Sequence, residues 1–191
     1  MKSYFAAIVL SALAFSVHAL PSCPYSSTRF RLPRTTPTLC CDSTVPLFRL
    51  YSPSATDHFY TTNAQERNNA VASIGYTNEG TAAQVFPAGV SGAVPLYRLF
   101  RLAGSDHFYT TNAQERDNAV AALGYTNEGV AAYIYPSAQC GSVPLYRMFS
   151  PSAVDHFYTT NVAEKNNAVA SLGYSYEGVA GYVNPVKGAH C

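Results

Sequence analysis

Aromatic and aliphatic residues gather in short runs separated by turn residues, and the same runs return three times along the chain. Pro46-Leu47-Phe48-Arg49-Leu50-Tyr51 has the character of a strand, with Pro46 at the first position, where a missing N–H is tolerated. Ser52-Pro53-Ser54 is turn chemistry, and His58 to Thr62 reads as a second strand, so the two form a hairpin. Asn63 then opens a helix. It stands three residues before Glu66, which is capping-box spacing, and Ala64, Ala70, Val71 and Ile74 fall on one helical face. Gly75 is the stop, because a residue past a helix end often takes the left-handed conformation that glycine adopts without strain. Glu79-Gly80 leads into a last strand, Thr81 to Phe86, ended by Pro87.

The strand–strand–helix–strand pattern repeats without insertion or deletion. Asp57-His58-Phe59-Tyr60-Thr61-Thr62-Asn63 recurs 49 residues on at Asp106 to Asn112, and again at Asp155 to Asn161. Val45-Pro46-Leu47 and Gly75-Tyr76 recur with the same spacing. A unit of this size cannot bury its own apolar face, so three units must share a core. The fold expected is mainly β with short helices (α+β). Three pseudo-symmetric β-β-α-β repeats, 45–93, 94–142 and 143–191, form one domain closed into a three-bladed, propeller-like ring. Closure would remove exposed sheet edges. A β-trefoil-like arrangement is the alternative, and the helix in every unit counts against it.

Residues 1–19 have the form of a signal peptide. Lys2 precedes an apolar run from Phe5 to Val17, and Val17-His18-Ala19 fits a small-residue cleavage site. The run is short for a membrane span. Cleavage after Ala19 would release a secreted, extracellular chain. Residues 20–44, rich in Pro, Ser and Thr, read as an arm. The formal charge of +1 falls to zero once Lys2 is removed, which leaves no basic field for nucleic acid and no electrostatic attraction to a membrane. Five cysteines, Cys23, Cys40, Cys41, Cys140 and Cys191, lie outside the repeated motifs. In an oxidising compartment they imply disulfides that pin the chain ends, and the odd one would allow a disulfide-linked dimer.

Each unit carries one polar set: Arg49, Asp57, His58, Glu66 and Glu79; Arg98, Asp106, His107, Glu115 and Glu128; Arg147, Asp155, His156, Glu164 and Glu177. These sets have structural readings. Glu66 completes a capping box, Asn63, Asn112 and Asn161 cap helices, Arg49 pairs with Asp57, and His58 is a hydrogen-bonded core residue. They also have a ligand reading. Acidic acceptors, a histidine donor and tyrosine faces suit sugars, whose hydroxyls need oriented hydrogen-bonding groups and whose C–H faces stack on rings. The candidate ligand residues are Asp57, His58, Tyr60 and Glu79, with Asp106, His107, Tyr109 and Glu128, and Asp155, His156, Tyr158 and Glu177. Another arrangement brings His58, His107 and His156 to the axis around one zinc ion. Asp57 and Glu79 could also be a glycosidase pair. The chain has no nucleophile-elbow, zinc-protease or P-loop motif. We expect no catalysis, no metal and no cofactor.

The runs Val-Pro-Leu-Tyr-Arg, Asp-His-Phe-Tyr-Thr-Thr-Asn, Asn-Ala-Val and Gly-Tyr-x-x-Glu-Gly-x-Ala resemble a repeat of unknown function found in secreted fungal and bacterial proteins. The resemblance covers Val45 to about Pro185. It implies an extracellular accessory or binding role and brings no established catalytic or ligand residues. The expectation is a secreted binding module for carbohydrate or cell-wall polymer, lectin-like, with up to three equivalent sites that act together by avidity. The alternative is a structural or protein-interaction factor, an inhibitor or effector with no sugar ligand.

Overall fold

The computed structural model describes residues 44–186. The leader, nearly all of the arm, and Cys23, Cys40, Cys41 and Cys191 lie outside the described residues. The first repeat holds β1 (Val45–Ser52), β2 (Asp57–Thr61), α1 (Ala64–Asn69) running on into a π-helical turn (Ala70–Ile74), and β3 (Thr77–Val85). The second holds β4 (Val94–Arg101), β5 (Asp106–Thr110), α2 (Ala113–Ala122) and β6 (Thr126–Ile134). The third holds β7 (Val143–Ser150), β8 (Asp155–Thr159), α3 (Val162–Ser171) and β9 (Ser175–Val183). The protein is mainly β with short helices, and each repeat is a three-stranded antiparallel sheet, in the orders β2-β1-β3, β5-β4-β6 and β8-β7-β9. No helix among the described residues is long and apolar enough to cross a membrane.

The hairpin registers follow from the turn. Thr56, Ser105 and Val154 take φ of 53°, 54° and 57° just before the aspartate that begins the second strand. Gly75, Gly124 and Gly173 end the helical segments in the left-handed conformation, as their place after the helix requires. The last strand starts earlier than its sequence suggests. Two register shifts in each sheet, as at Leu47/Phe48 and Arg49/Leu50, absorb Asn78, Glu79 and Gly80 into the ladder as irregular strand rather than as a lead-in.

The helix caps form as expected, but the box does not. Asn63 accepts from the Gln65 and Glu66 N–H groups at 2.8 and 3.2 Å. The Asn63 N–H goes to Thr61 Oγ1 at 3.0 Å, so Glu66 is not needed there, and its carboxylate turns to the Thr61 hydroxyl and to Arg98 of the next repeat. The proposed apolar helix face also needs correction. Ala70 is buried, whereas Val71 and Ile74 stay 43% and 64% exposed. A single small residue on the first helix reaches Leu50 and Phe59, and that contact suffices for a local core. Ala119 and Ala168 do the same in the other repeats.

The principal core lies where the repeats meet. Leu47, Tyr60, Ala83 and Val85 pack with Leu96, Tyr109, Ala132 and Ile134, and with Leu145, Tyr158 and Val183. Strands β2, β5 and β8 touch one another in all three pairings. Tyr60, Tyr109 and Tyr158 are each about 1% exposed, with ring centroids 5.5 Å apart edge to face. Their hydroxyls make a cycle. Tyr60 donates to the Tyr158 carbonyl at 2.7 Å and accepts from the Tyr158 N–H at 2.9 Å. Tyr109 does the same to Tyr60, and Tyr158 to Tyr109. At the far end of the sheets, backbone bridges link Phe86 to Tyr133, Tyr135 to Tyr182 and Asn184 to Gln84.

One packing detail shows how closely the third strands approach. Gly181 occupies the place of Ala83 and Ala132, and a Cβ there would lie 2.5 Å from Ile134 Cδ1. Ile134 in turn stands where the other repeats have Val85 and Val183. The larger residue is matched by the smaller. Gly181→Ala should therefore cost about 1–3 kcal/mol in urea unfolding, and adding Ile134→Val should recover most of it; two additive losses would refute the pairing.

Tyr109→Phe removes one hydroxyl and leaves the buried Tyr60 carbonyl and N–H without partners. A loss of about 2–4 kcal/mol is expected in urea unfolding; a change below about 0.5 kcal/mol would show that the cycle is dispensable.

Candidate functional site

The repeated polar residues meet at the boundaries between repeats. At the boundary of the first and second, Arg98 on β4 reaches across to Glu66 in a bidentate pair at 3.0 Å, while its Nε meets Glu128 of its own repeat at 2.8 Å. Its guanidinium also lies over the Phe59 ring, 5.2 Å from the centroid. Arg147 makes the same contacts to Glu115, Glu177 and Phe108, and Arg49 to Glu164, Glu79 and Phe157. Each glutamate on a helix also accepts from a threonine at the end of the preceding strand, Thr61 for Glu66, Thr110 for Glu115 and Thr159 for Glu164. The helix cap thus places one half of the clasp and the first strand of the next repeat places the other.

Beside each clasp an aspartate receives the next repeat's histidine. Asp57 accepts from the His107 N–H at 2.9 Å and engages His107 Nδ1 at 2.7 Å, while Tyr76 donates its hydroxyl to the same carboxylate. Asp106 holds His156 and Tyr125, and Asp155 holds His58 and Tyr174. The imidazoles are stacked as well, His107 lying between Phe59 and Phe100 at centroid distances of 4.7 Å. The three aspartates are wholly buried, and their oxygens come within 4.8 Å of one another. Both oxygens of each already accept from protein donors, so the cluster acts as a junction between repeats.

These positions correct several expectations. Arg49 does not pair with Asp57; it takes Glu79 and Glu164, because Asp57 faces the next repeat. The aspartates, not the histidines, converge, and each histidine is held at a boundary by its Nδ1. Asp57, Asp106 and Asp155 and the rings of Tyr60, Tyr109 and Tyr158 are enclosed in the core, out of reach of a dissolved sugar. Enclosure with three donors also deprives Asp57 of the water access that a glycosidase carboxylate needs. Glu79, Glu128 and Glu177 remain about 30% exposed beside the histidine edges.

The electrostatics follow from this pairing. Burial pushes Glu66, Glu115 and Glu164 up, but the guanidinium and threonine hydroxyl that each accepts outweigh it and hold all three below the ordinary value of 4.5. Burial likewise opposes ionisation of Asp106, and the His156 and Tyr125 bonds win, leaving it lowered. Burial raises Tyr60, Tyr109 and Tyr158 well above 10, so their hydroxyls keep the protons that the cycle uses.

A cleft of about 620 Å³ opens above the clasp between the first and second repeats. Phe59, Tyr76 and Phe100 supply rings, Asn63, Gln65 and Asn69 supply amides from the helix, and Arg98, Glu66 and Glu128 form a paired floor. Sequence reasoning missed Gln65, Asn69 and Phe100. They carry no motif chemistry, and only the meeting of two repeats makes them neighbours. The π-helical turn, which gives Ala70 and Ile74 to the same wall, was equally invisible.

Fold and boundaries together define a protein of three like β-sheet repeats, joined by buried tyrosines and by arginine–glutamate clasps, with clefts between repeats. The chain belongs to the family described as a domain of unknown function, DUF5648, whose model matches residues 35–184. No curated protein and no solved structure matches the chain.

A carboxylate held low in the fold stabilises fully above its unfolded value, about 4.5, and stops doing so as pH falls through its lowered folded value. Urea midpoints should therefore be flat near neutrality and drop below about pH 4.5. The triple variant Glu66→Gln, Glu115→Gln, Glu164→Gln should start lower and fall less steeply; an acid slope equal to that of the wild type would rule out titration of the clasps.

Proposed function

We propose that this chain is an exported, non-catalytic binding module, a three-bladed, propeller-like ring of repeats whose boundary clefts take carbohydrate or cell-wall polymer. The observation that carries this reading is the cleft between the first and second repeats. Its volume of about 620 Å³ lies within the range of small-molecule sites. It joins ring faces, which stack on sugar C–H faces, to amide and carboxylate groups whose orientation is fixed by helix capping and ion pairing. The charges at its floor are paired, which favours a neutral polymer over a polyuronate. Enclosure of the aspartates supports the non-catalytic part, and the cyclic tyrosine and backbone bonds support the ring. Secretion, with disulfides among Cys23, Cys40, Cys41, Cys140 and Cys191, belongs to the same reading.

A protein partner is the second reading, favoured by apolar side chains left outside at equivalent places: Val71 and Ile74, Val120 and Leu123, Val169 and Leu172. Sedimentation with insoluble chitin, cellulose and β-1,3-glucan separates the two. Binding to one polymer is expected, weakened about tenfold (~1.4 kcal/mol) by the double variant Gln65→Ala, Asn69→Ala, with the melting midpoint unchanged. Failure to bind all three would reject the carbohydrate reading and favour the protein partner.

A further inference from the structure

The boundary clefts are built from the same motif residues yet differ in size. Between the second and third repeats, Phe108, Glu115, Asn118, Ala119, Leu123, Tyr125, Arg147, His156 and Glu177 line only about 180 Å³. Every one of these has a counterpart 49 residues earlier in the wall of the larger cleft. What the second cleft lacks are counterparts of Asn63 and Gln65 and the upper wall, which in the first is made by Ser52, Ser54, Ala55, Phe100 and Ser105.

Four of these positions change in the second cleft, where Arg101, Ala103, Gly104 and Val154 stand for Ser52, Ser54, Ala55 and Ser105, and the largest change is at the first. Ser52 and Ser150 end the first strands of the first and third repeats, and Arg101 stands there in the second. The Arg101 guanidinium lies over the Tyr125 ring, 5.5 Å from its centroid, within cation–π range. Its Nε is buried with no hydrogen-bond acceptor among the described residues, and its head rests on the ring. Tyr125 is accordingly buried, 7% exposed, whereas Tyr76 and Tyr174 keep intermediate exposure. The neighbouring turn is cut back as well: Gly104 replaces Ala55 and Ala153, and a Cβ there would lie 2.7 Å from Val154 Cγ1, with Arg101 Nη2 farther off at 3.4 Å.

We propose that the cleft between the first and second repeats is a ligand site for a neutral oligosaccharide, and that Arg101 occludes its counterpart between the second and third. One side chain thereby sets how many sites the module offers. As to ligand, this rests on the carbohydrate reading above. The occlusion rests on geometry alone.

Arg101→Ser tests both parts, since serine is the residue of the other two repeats and should be tolerated; the melting midpoint checks this. Hydroxyl-radical footprinting with peptide mapping, which reads ring exposure and needs no phenolate, is done without ligand. Tyr76 and Tyr174 should be oxidised in both proteins, and Tyr125 should be protected in the wild type and labelled at least fivefold more in Arg101→Ser. Calorimetry with chitohexaose, cellohexaose and laminarihexaose is read second, and Arg101→Ser should raise the stoichiometry by one for whichever sugar binds the wild type. Continued protection of Tyr125 would overturn the occlusion. A labelled Tyr125 with unchanged stoichiometry would overturn Arg101 as the determinant of valency. A wild type that binds none of the three sugars would overturn the ligand assignment along with the carbohydrate reading, while the footprinting result still decides the occlusion.

Discussion

A buried hydroxyl needs partners, and the tyrosines at the centre of this molecule find them only in another repeat. Each of Tyr60, Tyr109 and Tyr158 gives its proton to a neighbour's carbonyl and takes the N–H of the same residue. Each strand so bonded could not satisfy those groups alone. The cycle therefore makes the three repeats mutually necessary, and it positions the second strands from which every other boundary contact departs. With Tyr60 in the shared core, its neighbour Phe59 faces the helix, and Asp57 at the strand's start meets the next histidine.

The same principle governs the charges. Asp57, Glu66 and Glu79 have different partners, and two of the three are reached across a boundary: Asp57 binds His107 and Glu66 binds Arg98, whereas Glu79 meets Arg49 of its own sheet. Close-set carboxylates in a dry interior would repel one another. Here each buried aspartate accepts three donors, so the junctions hold negative charge without leaving it bare. Most residues that a sequence reader would assign to ligand recognition are consumed in this way, and what stays open is the rim of each boundary.

Threefold likeness of the backbone does not impose threefold likeness of the surface. The framework tolerates differences where they are matched locally: Ile134 against Gly181, Val154 and Arg101 against Gly104. A cleft wall carries no such constraint on its neighbours in the other repeats. Clefts of different size can therefore coexist on one framework without loss of the shared core.

The periodicity of apolar runs, the capping asparagines and the glycine stops are local signals, so the element order, the hairpins and the number of repeats were readable from the chain. Local signals also showed that one polar set recurs, but not where each member points. Arg49 and Asp57 lie close in sequence and were paired on that ground, yet their partners lie far along the chain, Glu164 for the arginine and His107 for the aspartate. Strand alternation tells which residues share a face. It does not tell whether that face meets water, a helix or another repeat, and this separated Tyr60 in the core from Gln65 and Asn69 on the cleft wall. The sequence by itself determined the unit and its threefold recurrence, because those rest on contacts within a few residues. Tertiary structure alone decided which polar groups were spent on joining the units and which remained at the surface, because hydrogen bonds across a boundary depend on proximity in space.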